Sequence, residues 1–534
     1  VGYYLIGEGY RQLEAHFHYR PWGRLALRRW LFAHPTPIYL FSMGLLTSLL
    51  MLLFASYVAS TNDSLIHVWG VALLTFLPAT AIASTLINWA VTNNIAPRLL
   101  PRLDFQNGIT TEYQTMVVIP TLLTDAAEIE SLLQQVEQHY LRNADDRLFF
   151  ALLTDYADAL NQHMPEDETL IQRTQAGISA LNAKYRLGAP PFYLFHRERR
   201  WNPAQGSWMG WERKRGKLVE FNHLLRGDGT TSYTVQFGDL SILPRIKYVI
   251  TLDADTILPE GGAQRLVATL AHPLNRAVFD PDSGKVIAGY SILQPRIEIK
   301  PASANRTRFT QIFAGDIGLD LYTHAVSDVY QDLFGEGSYV GKGIYDVDVL
   351  EVSLANRIPE NALLSHDLFE GIHARVALVS DIMLLEEYPA GYLGYTRRMH
   401  RWIRGDWQLL PWLLPRIPTG QAGETLPNTF STLDRWKIFD NLRRSLVNPA
   451  LLVLLGAAWL GLMGSPLFWT LITVAILGFP LFLSLFSGLS HRVPAESVFA
   501  VLRSRRLDAL RWLLALIFLP YEAFLTLNAI STTL

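Results

Sequence analysis

The sequence YVITLDADTILP, residues 248–259, places two carboxylates directly after a short apolar run. Its first five residues are β-branched or apolar without alternation, so they predict a strand that is buried in a parallel sheet. Pro259 then ends the segment. Asp253 and Asp255 are therefore expected at the carboxyl end of this strand, where the loops of an open α/β sheet diverge and leave a crevice for a ligand.

Two carboxylates one residue apart repel each other unless a positive charge lies between them. A divalent cation that prefers oxygen ligands, Mg²⁺ or Mn²⁺, is the usual partner for such a DxD pattern. Asp253 and Asp255 are thus candidate metal ligands. For a DxD pattern taken alone, a solvated turn that carries two acids is the favoured interpretation, so the surrounding sequence has to distinguish the two.

The composition indicates a membrane protein. Half of the 534 residues are hydrophobic, and the net charge of −2 leaves no electrostatic footprint for a nucleic acid. The absence of cysteine excludes disulfides, zinc–thiolate sites and a cysteine nucleophile. We expect the sequence to be the ordered part of a longer polypeptide that carries further domains.

Five apolar stretches are long enough to cross a bilayer, which takes roughly 20 helical residues. Arginines precede the first stretch and lie between the last two, so the positive-inside rule places the middle of the chain in the cytoplasm. Buried helical hairpins in a soluble protein are the alternative. The predicted parts are a cytosolic N-terminal segment at 1–37, transmembrane helices 1 and 2 within 38–91 (38–59 and 65–91), a cytosolic domain at 100–390, interfacial amphipathic helices at 391–445, transmembrane helices 3 and 4 within 446–488 (446–463 and 466–488), a cytosolic loop at 489–508 and transmembrane helix 5 at 509–530.

Within the cytosolic domain, strand-like and helix-like segments alternate. Strands are predicted at 115–120, 147–155, 192–195 and 247–253, and helices at 126–141 and 167–185. This alternation predicts an α/β domain with a mostly parallel sheet and helices on both faces. Asp155 ends the second strand much as Asp253 ends its own, although a helix N-cap or a turn is an equal alternative for Asp155.

Three later segments add candidate site residues. Residues 197–217, rich in cations and Trp, form either a solvated loop or an electropositive wall that faces a diphosphate, and Lys217 at the start of a predicted helix is the best candidate for the wall. Asp367 precedes a helix predicted at 368–379 and is an N-cap by the simpler interpretation. Arg398, Arg401 and Trp402 fall on one side of a helix, which would also suit a membrane surface.

Taken in order, TD, DAD, a carboxylate that begins a helix and RxxRW resemble the processive membrane glycosyltransferases of the cellulose and hyaluronan synthase type. The segments GWERKRGKLVEFN and LDRWKIFDNLRRSLVNPALL are more similar still to the cyclic β-1,2-glucan synthases. The resemblance covers residues 100–450 and the flanking spans. It implies a GT-A-like domain at 100–390 with an α-helical transmembrane bundle, located in the bacterial cytoplasmic (inner) membrane with several passes and the active site facing the cytoplasm.

The resemblance also implies the chemistry. Glucose would move from UDP-glucose to a growing β-1,2-glucan with a protein-linked primer, in one inverting displacement assisted by Mg²⁺ or Mn²⁺. The implied roles are a contact to the uridine for Asp155, the grip on metal and UDP for Asp253 and Asp255, the catalytic base for Asp367, and the hold on the diphosphate and acceptor site for Arg398, Arg401 and Trp402. Lys217 remains the candidate for the diphosphate wall. The bilayer and other domains of the polypeptide are further expected partners, and nucleic acid is not.

The sequence departs from the family pattern at three places. Cellulose synthases have Gln where Arg398 stands, and Glu-Asp where His366 and Asp367 stand, so the role of His366 is open. The first strand keeps Pro120 and Thr121 but delays its acid to Asp125.

Two alternative functions remain open at this stage. One is the synthesis of another linear polysaccharide or a glycolipid from a UDP-sugar. The other is a membrane nucleotide-sugar sensor or transporter without chemistry, although Glu522 is among the few charges in the predicted spans, which disfavours transport by the spans alone. A hydrolase with paired carboxylates would leave the arginine helix unexplained.

Overall fold

The computed structural model describes residues 4, 9–61, 65–185, 189–314, 328–421, 423–461, 464–483 and 498–534. Its helices are α1 (Gly9–His16), α2 (Gly23–Ala33), α3 (Pro35–Thr61), α4 (Leu65–Asn94), α5 (Ala126–Arg142), α6 (Asp167–Lys184), α7 (Arg213–Leu225), α8 (Gly262–Leu270), α9 (Pro301–Ala304), α10 (Arg308–Phe313), α11 (Val329–Phe334), α12 (Val347–Leu354), α13 (Asp367–Ala374), α14 (Tyr392–Gln408), α15 (Thr432–Ser445), α16 (Val447–Trp459), α17 (Pro466–Leu477) and α18 (Val498–Thr533). Its strands are β1 (Thr115–Leu123), β2 (Leu148–Tyr156), β3 (Phe192–Arg197), β4 (Arg200–Asn202), β5 (Ser207–Met209), β6 (Tyr233–Phe237), β7 (Tyr248–Thr251), β8 (Val278–Asp280), β9 (Lys285–Ala288), β10 (Ile292–Ile299), β11 (Gly343–Asp346), β12 (Val376–Glu386), β13 (Arg416–Pro418) and β14 (Thr425–Pro427).

Eight of these strands form one sheet in the order β12-β10-β11-β7-β1-β2-β3-β6. The neighbours β7-β1-β2-β3 pair in parallel, and so do β10 and β12. Strand β11 is antiparallel to both β7 and β10, and β6 is antiparallel to β3. Six of the eight strands therefore run in one direction, which confirms the predicted α/β domain with a mostly parallel sheet.

Helices cover both faces of the sheet because the side chains of β1 alternate between two apolar cores. Val117 and Ile119 pack with Leu132 of α5 on one face. Met116 and Val118 pack with Phe221 of α7 on the other. All four residues of β7 are buried, as the run of apolar letters predicts, and the strand is a rigid support for the acids that follow it.

The helix predicted at 368–379 is only half correct. Helix α13 ends at Ala374, Arg375 takes a positive φ of 53°, and Val376 begins the strand β12. The residues after Arg375 are apolar and pair in register with β10, from Ile292 opposite Val376 onward. Burial within a sheet therefore overrides the helical periodicity that the sequence shows.

Among the described residues, three helices are long and apolar enough to cross a membrane: α3, α4 and the part of α18 from Arg506 to Thr533. They correspond to the predicted spans 38–59, 65–91 and 509–530. The two other predicted spans coincide with shorter apolar helices, α16 and α17, of 13 and 12 residues, and residues 462–463 and 484–488 lie outside the described residues. In the predicted loop 489–508, residues from 498 onward are already helical.

Strand β11 packs very closely against the backbone of β10. Gly343 begins this strand with φ of 134°, and a Cβ atom there would lie 2.1 Å from the backbone oxygen of Leu293 in β10. We predict that Gly343→Ala lowers the free energy of unfolding by about 1–3 kcal/mol, because neither backbone can move aside cheaply. Gly229→Ala is the control, since a Cβ atom at Gly229 meets nothing within 4 Å. Equal melting temperatures of the two variants in detergent would contradict this packing.

Candidate active site

The candidate site lies at the edge of the sheet where the six codirectional strands end. Asp253 follows β7, and Glu386 is the last residue of β12. Lys342 reaches the same edge because β11, which it precedes, runs in the opposite direction. Its ammonium lies 3.0 Å from Asp253 Oδ2 and also contacts Glu386. The antiparallel strand thus brings a cation to an edge of carboxylates.

Asp253 is held by two lysines. Lys214 of α7 places its Nζ atom 2.5 Å from Asp253 Oδ1, opposite the contact that Lys342 makes with Oδ2. Burial alone would raise the pKa of the Asp253 carboxyl, but Lys214 and Lys342 outweigh burial and lower this pKa to about 2. The carboxylate is therefore ionised at any physiological pH, and both of its oxygens already have a cation.

Asp255 differs from Asp253 although it stands only two residues away. Its side chain is partly exposed and makes no hydrogen bond or ion pair with any residue that the structure describes. Carboxylate oxygens that are partly exposed and uncommitted fit a hard divalent cation such as Mg²⁺ or Mn²⁺. Of the predicted pair, Asp255 is the member that has oxygens to offer a metal, and Asp253 is the member that the protein itself neutralises.

Asp155 and Lys217 lie together in a buried ionic network beneath this edge. Arg197 binds Asp155 with two parallel hydrogen bonds of 2.8 Å, and Lys217 Nζ lies 3.1 Å from the same carboxylate. Arg197 also donates to Glu220 of α7 at 2.7 Å. Asp155 is 2% exposed and Arg197 is fully buried. Both oxygens of Asp155 are thus committed within the protein, and a contact to a nucleotide would require the exchange of one of these bonds.

The charges of this network balance each other. Burial raises the pKa of Asp155, but Lys217 and Arg197 outweigh it, so this pKa is lowered. Burial lowers the pKa of Lys217 to about 8, against the pull of Asp155. Gly210 packs directly on this network, because a Cβ atom at this position would lie 2.4 Å from Asp155 Oδ2. Its place in the fold is to fix α7, which carries Lys214 to Asp253.

Asp367 is the first residue of α13 and keeps 30% of its side chain exposed. Gly341 faces it so closely that a Cβ atom there would lie 2.8 Å from Asp367 Oδ1. The carbonyl oxygen of Gly341 accepts a hydrogen bond of 2.9 Å from Lys214, the lysine that binds Asp253. The fold therefore brings the predicted base and the predicted DxD segment to one place, with Lys214 and Gly341 between them.

Helix α14 carries Arg398, Arg401 and Trp402, the three predicted residues of the RxxRW motif. The Arg398 guanidinium lies 5.6 Å from the centre of the Trp402 ring, and neither arginine forms an ion pair with a residue that the structure describes. The helix packs against the loop before Asp367, since a Cβ atom at Gly405 would lie 2.5 Å from Ser365. Two uncommitted guanidinium groups therefore lie on the element that supports the loop of the candidate base.

The sequence analysis missed Lys214, Lys342 and Glu370. Lys214 lies three residues, or about one helical turn, before Lys217, so both side chains fall on the same side of α7. The prediction that Lys217 faces the site could therefore have been extended to Lys214. Lys342 stands in the glycine-rich segment FGEGSYVGKGIYD at 334–346, but only the antiparallel pairing of β11 brings it to Asp253. Asp125, the delayed acid of the first strand, caps α5 by accepting from the backbone N–H groups of Ala127 and Glu128.

The chain was compared with known proteins. No family model matches it. It is 38% identical over 546 aligned residues to the cyclic β-(1,2)-glucan synthase NdvB of Rhizobium meliloti (strain 1021), and the match takes in 100% of this chain. The chain spans 19% of the length of that relative. Identity at this level over the whole chain confirms the resemblance that its motifs show: the chain is related throughout to one segment of a cyclic β-(1,2)-glucan synthase.

Proposed function

We propose that this chain is the membrane-embedded transferase part of a β-glucan synthase. It moves glucose from UDP-glucose to a growing β-1,2-glucan and inverts the anomeric carbon. The observation that carries the proposal is the joint position of Asp253 and Asp367, which lie on either side of Lys214 and Gly341 at the sheet edge. Whole-length identity to a glucan synthase supports the same class of reaction.

Asp367 is the proposed catalytic base. A glucan hydroxyl becomes a nucleophile when a carboxylate within about 3 Å accepts its proton as the new bond forms. Asp367 is partly exposed, and no Lys or Arg among the described residues forms an ion pair with it. Its carboxylate is therefore open to an acceptor, unlike that of Asp155 or Asp253.

The leaving UDP gains negative charge as the glycosidic bond of the donor breaks, and this edge is rich in cations. Lys214 and Lys342 lie at Asp253, and Arg398 and Arg401 are uncommitted on α14. Fixed cations in a partly buried site stabilise such charge without reorganisation. A Mg²⁺ or Mn²⁺ ion on Asp255, with Asp253 beside it, would supply Lewis-acid stabilisation of the same charge when bound.

The remaining site residues are proposed to form the donor pocket. Asp155 contacts the uridine after exchange of one bond in its buried network, and Lys217 contributes positive potential from below. Trp402 closes the acceptor side above the arginines. The apolar helices α3, α4 and α18 anchor this arrangement in the bacterial inner membrane with the sheet in the cytoplasm.

The base assignment gives the first functional prediction. Asp367→Asn keeps the size of the side chain but removes the proton acceptor, so glucose transfer should fall by about 10²–10⁴-fold with UDP binding retained. Asp282→Asn, at an exposed aspartate of a turn, is the matched control and should behave like the parent chain. The readout is incorporation of labelled glucose from UDP-glucose into glucan. Normal turnover by Asp367→Asn would refute Asp367 as the base, whereas UDP-glucose binding without any turnover by the parent chain would favour a nucleotide-sugar sensor.

The metal assignment is tested at Asp255. Chelation of divalent cations should abolish transfer, and Mg²⁺ or Mn²⁺ should restore it. Asp255→Asn should weaken Mn²⁺ binding in the presence of UDP by at least about tenfold. Loss of a group that merely hydrogen-bonds to a metal ligand already lowers metal affinity by about 10–100-fold, and loss of the ligand itself should lower it at least as much. Electron paramagnetic resonance of free Mn²⁺ measures this directly. Full activity in the presence of chelator would remove the metal from the proposal.

The arginine helix is tested at Arg401. Arg401→Gln should raise KM for UDP-glucose by about tenfold to a hundredfold, as expected for the loss of a charge-assisted hydrogen bond of about 1.5–3 kcal/mol. Arg435→Gln, at an exposed arginine of α15, is the control. If the KM of Arg401→Gln for UDP-glucose equals that of the parent chain and of this control, Arg401 does not contact the diphosphate.

A further inference from the structure

A second cluster of metal-ligating side chains stands at the start of α13. His366 Nε2 lies 3.6 Å from Asp367 Oδ1 and 3.8 Å from Glu370 Oε1. One ligand atom from each of the three residues lies within 4.8 Å of the others. Ligand atoms at 2.0–2.2 Å from one tetrahedral ion lie roughly 3.3–3.6 Å apart. The three side chains are therefore close to the spacing at which a single ion binds all of them.

His366 and Glu370 are buried at this cluster with no hydrogen-bond partner for their side chains among the described residues. His366 is 7% exposed and Glu370 is 8% exposed. The charged groups nearest to the His366 ring are the two carboxylates of the cluster itself. Neither side chain has a fully enclosed polar atom, so the imidazole and the carboxylate keep some contact with solvent and stay open to an added ligand.

The nearby cations are engaged elsewhere. Lys214 binds Asp253 and the carbonyl oxygen of Gly341, and Arg215 pairs with Glu212 at 2.6 Å. Among the described residues no lysine or arginine forms an ion pair with Asp367 or Glu370, although Arg215 and Lys214 are close enough to act on Glu370 electrostatically. An added dication would supply the missing charge.

We propose that His366, Asp367 and Glu370 bind a borderline transition-metal cation of the Zn²⁺ type, and that this cation inhibits transfer by occupying the Asp367 carboxylate. An imidazole with two carboxylates favours Zn²⁺ or Co²⁺, whereas the all-oxygen Asp255 site suits Mg²⁺ or Mn²⁺. The cluster at His366 and the site at Asp255 should therefore prefer different cations, because only the cluster offers a nitrogen ligand. The inhibitory half of the inference rests on the proposed function, and the binding half does not.

Binding is tested on the full chain in detergent after removal of metals. Co²⁺ is the probe, because its visible absorption reports nitrogen and oxygen ligation, and Zn²⁺ is added in competition. His366→Gln and Glu370→Gln should each weaken Co²⁺ binding by at least about tenfold. His163→Gln, at an exposed histidine of a loop, and Asp255→Asn should leave it unchanged. Parent-like Co²⁺ binding in both cluster variants, or its loss in Asp255→Asn alone, overturns the site.

A measurement on the unmodified chain guards against variants that fail to fold. Diethyl pyrocarbonate modifies imidazoles at rates that follow their exposure, so His366, which is 7% exposed, is followed over a long incubation in which it reacts slowly, and mass spectrometry reads its modification separately from that of His163. Zn²⁺ should slow the reaction of His366 without affecting His163, and Mg²⁺ should affect neither. Equal rates for His366 with and without Zn²⁺ overturn the site even if no variant can be purified.

The activity arm separates the two halves of the inference. With Mg²⁺ held constant, micromolar Zn²⁺ should inhibit glucose incorporation by the parent chain. Zn²⁺ bound at the cluster of an active enzyme without inhibition overturns the inhibitory half. A chain that binds Co²⁺ and Zn²⁺ as described but transfers no glucose at all contradicts the proposed function instead, and leaves the metal site standing.

Discussion

The two ion pairs of Asp253 are the interaction on which the site depends. Lys214 comes from α7, Lys342 precedes β11, and Asp253 follows β7, so one carboxylate joins three elements that are distant in sequence. Lys214 continues the connection to Gly341 and hence to Asp367. Because the pKa of Asp253 is lowered to about 2, these pairs persist throughout the physiological range of pH. The edge of the sheet is thus ordered by charge before any ligand arrives.

The carboxylates of this region fall into two classes. Asp155 and Asp253 are neutralised by arginine or lysine and fix the positions of α7 and the glycine-rich segment. Asp255 and Asp367 have no lysine or arginine partner among the described residues and are partly exposed. The four aspartates therefore differ in their surroundings: two are paired with cations of the protein and hold elements together, and two are available to a ligand. What decides this is whether a neighbouring strand or helix places a lysine or arginine next to the carboxylate. Proximity in sequence does not decide it, since Asp253 and Asp255 belong to different classes.

The sequence predicts the central strands, the helices between them and the carboxyl-end position of Asp253, because local periodicity and buried apolar runs carry that information. It does not predict the strand that follows Arg375, since Val376–Glu386 becomes a strand only when β10 lies beside it. Lys342 is invisible for the same reason: its meeting with Asp253 depends on the antiparallel β11. The buried pairing of Asp155 with Arg197 likewise requires two strands to lie in register. Tertiary pairing, rather than composition, supplies what the motifs lack.

Helix α14 connects the soluble and the apolar parts of the molecule. Its first residue, Tyr392, stacks on Phe518 of α18 at 4.0 Å and donates a hydrogen bond to Glu522, while Gly405 near its other end packs on Ser365. A tilt of α18 would therefore move the first turn of α14. Helix α14 would transmit this movement to Ser365, which lies two residues before Asp367. Bilayer thickness changes the tilt of a spanning helix. A change in bilayer thickness would thereby alter the packing beside Asp367, the base of the proposed transfer.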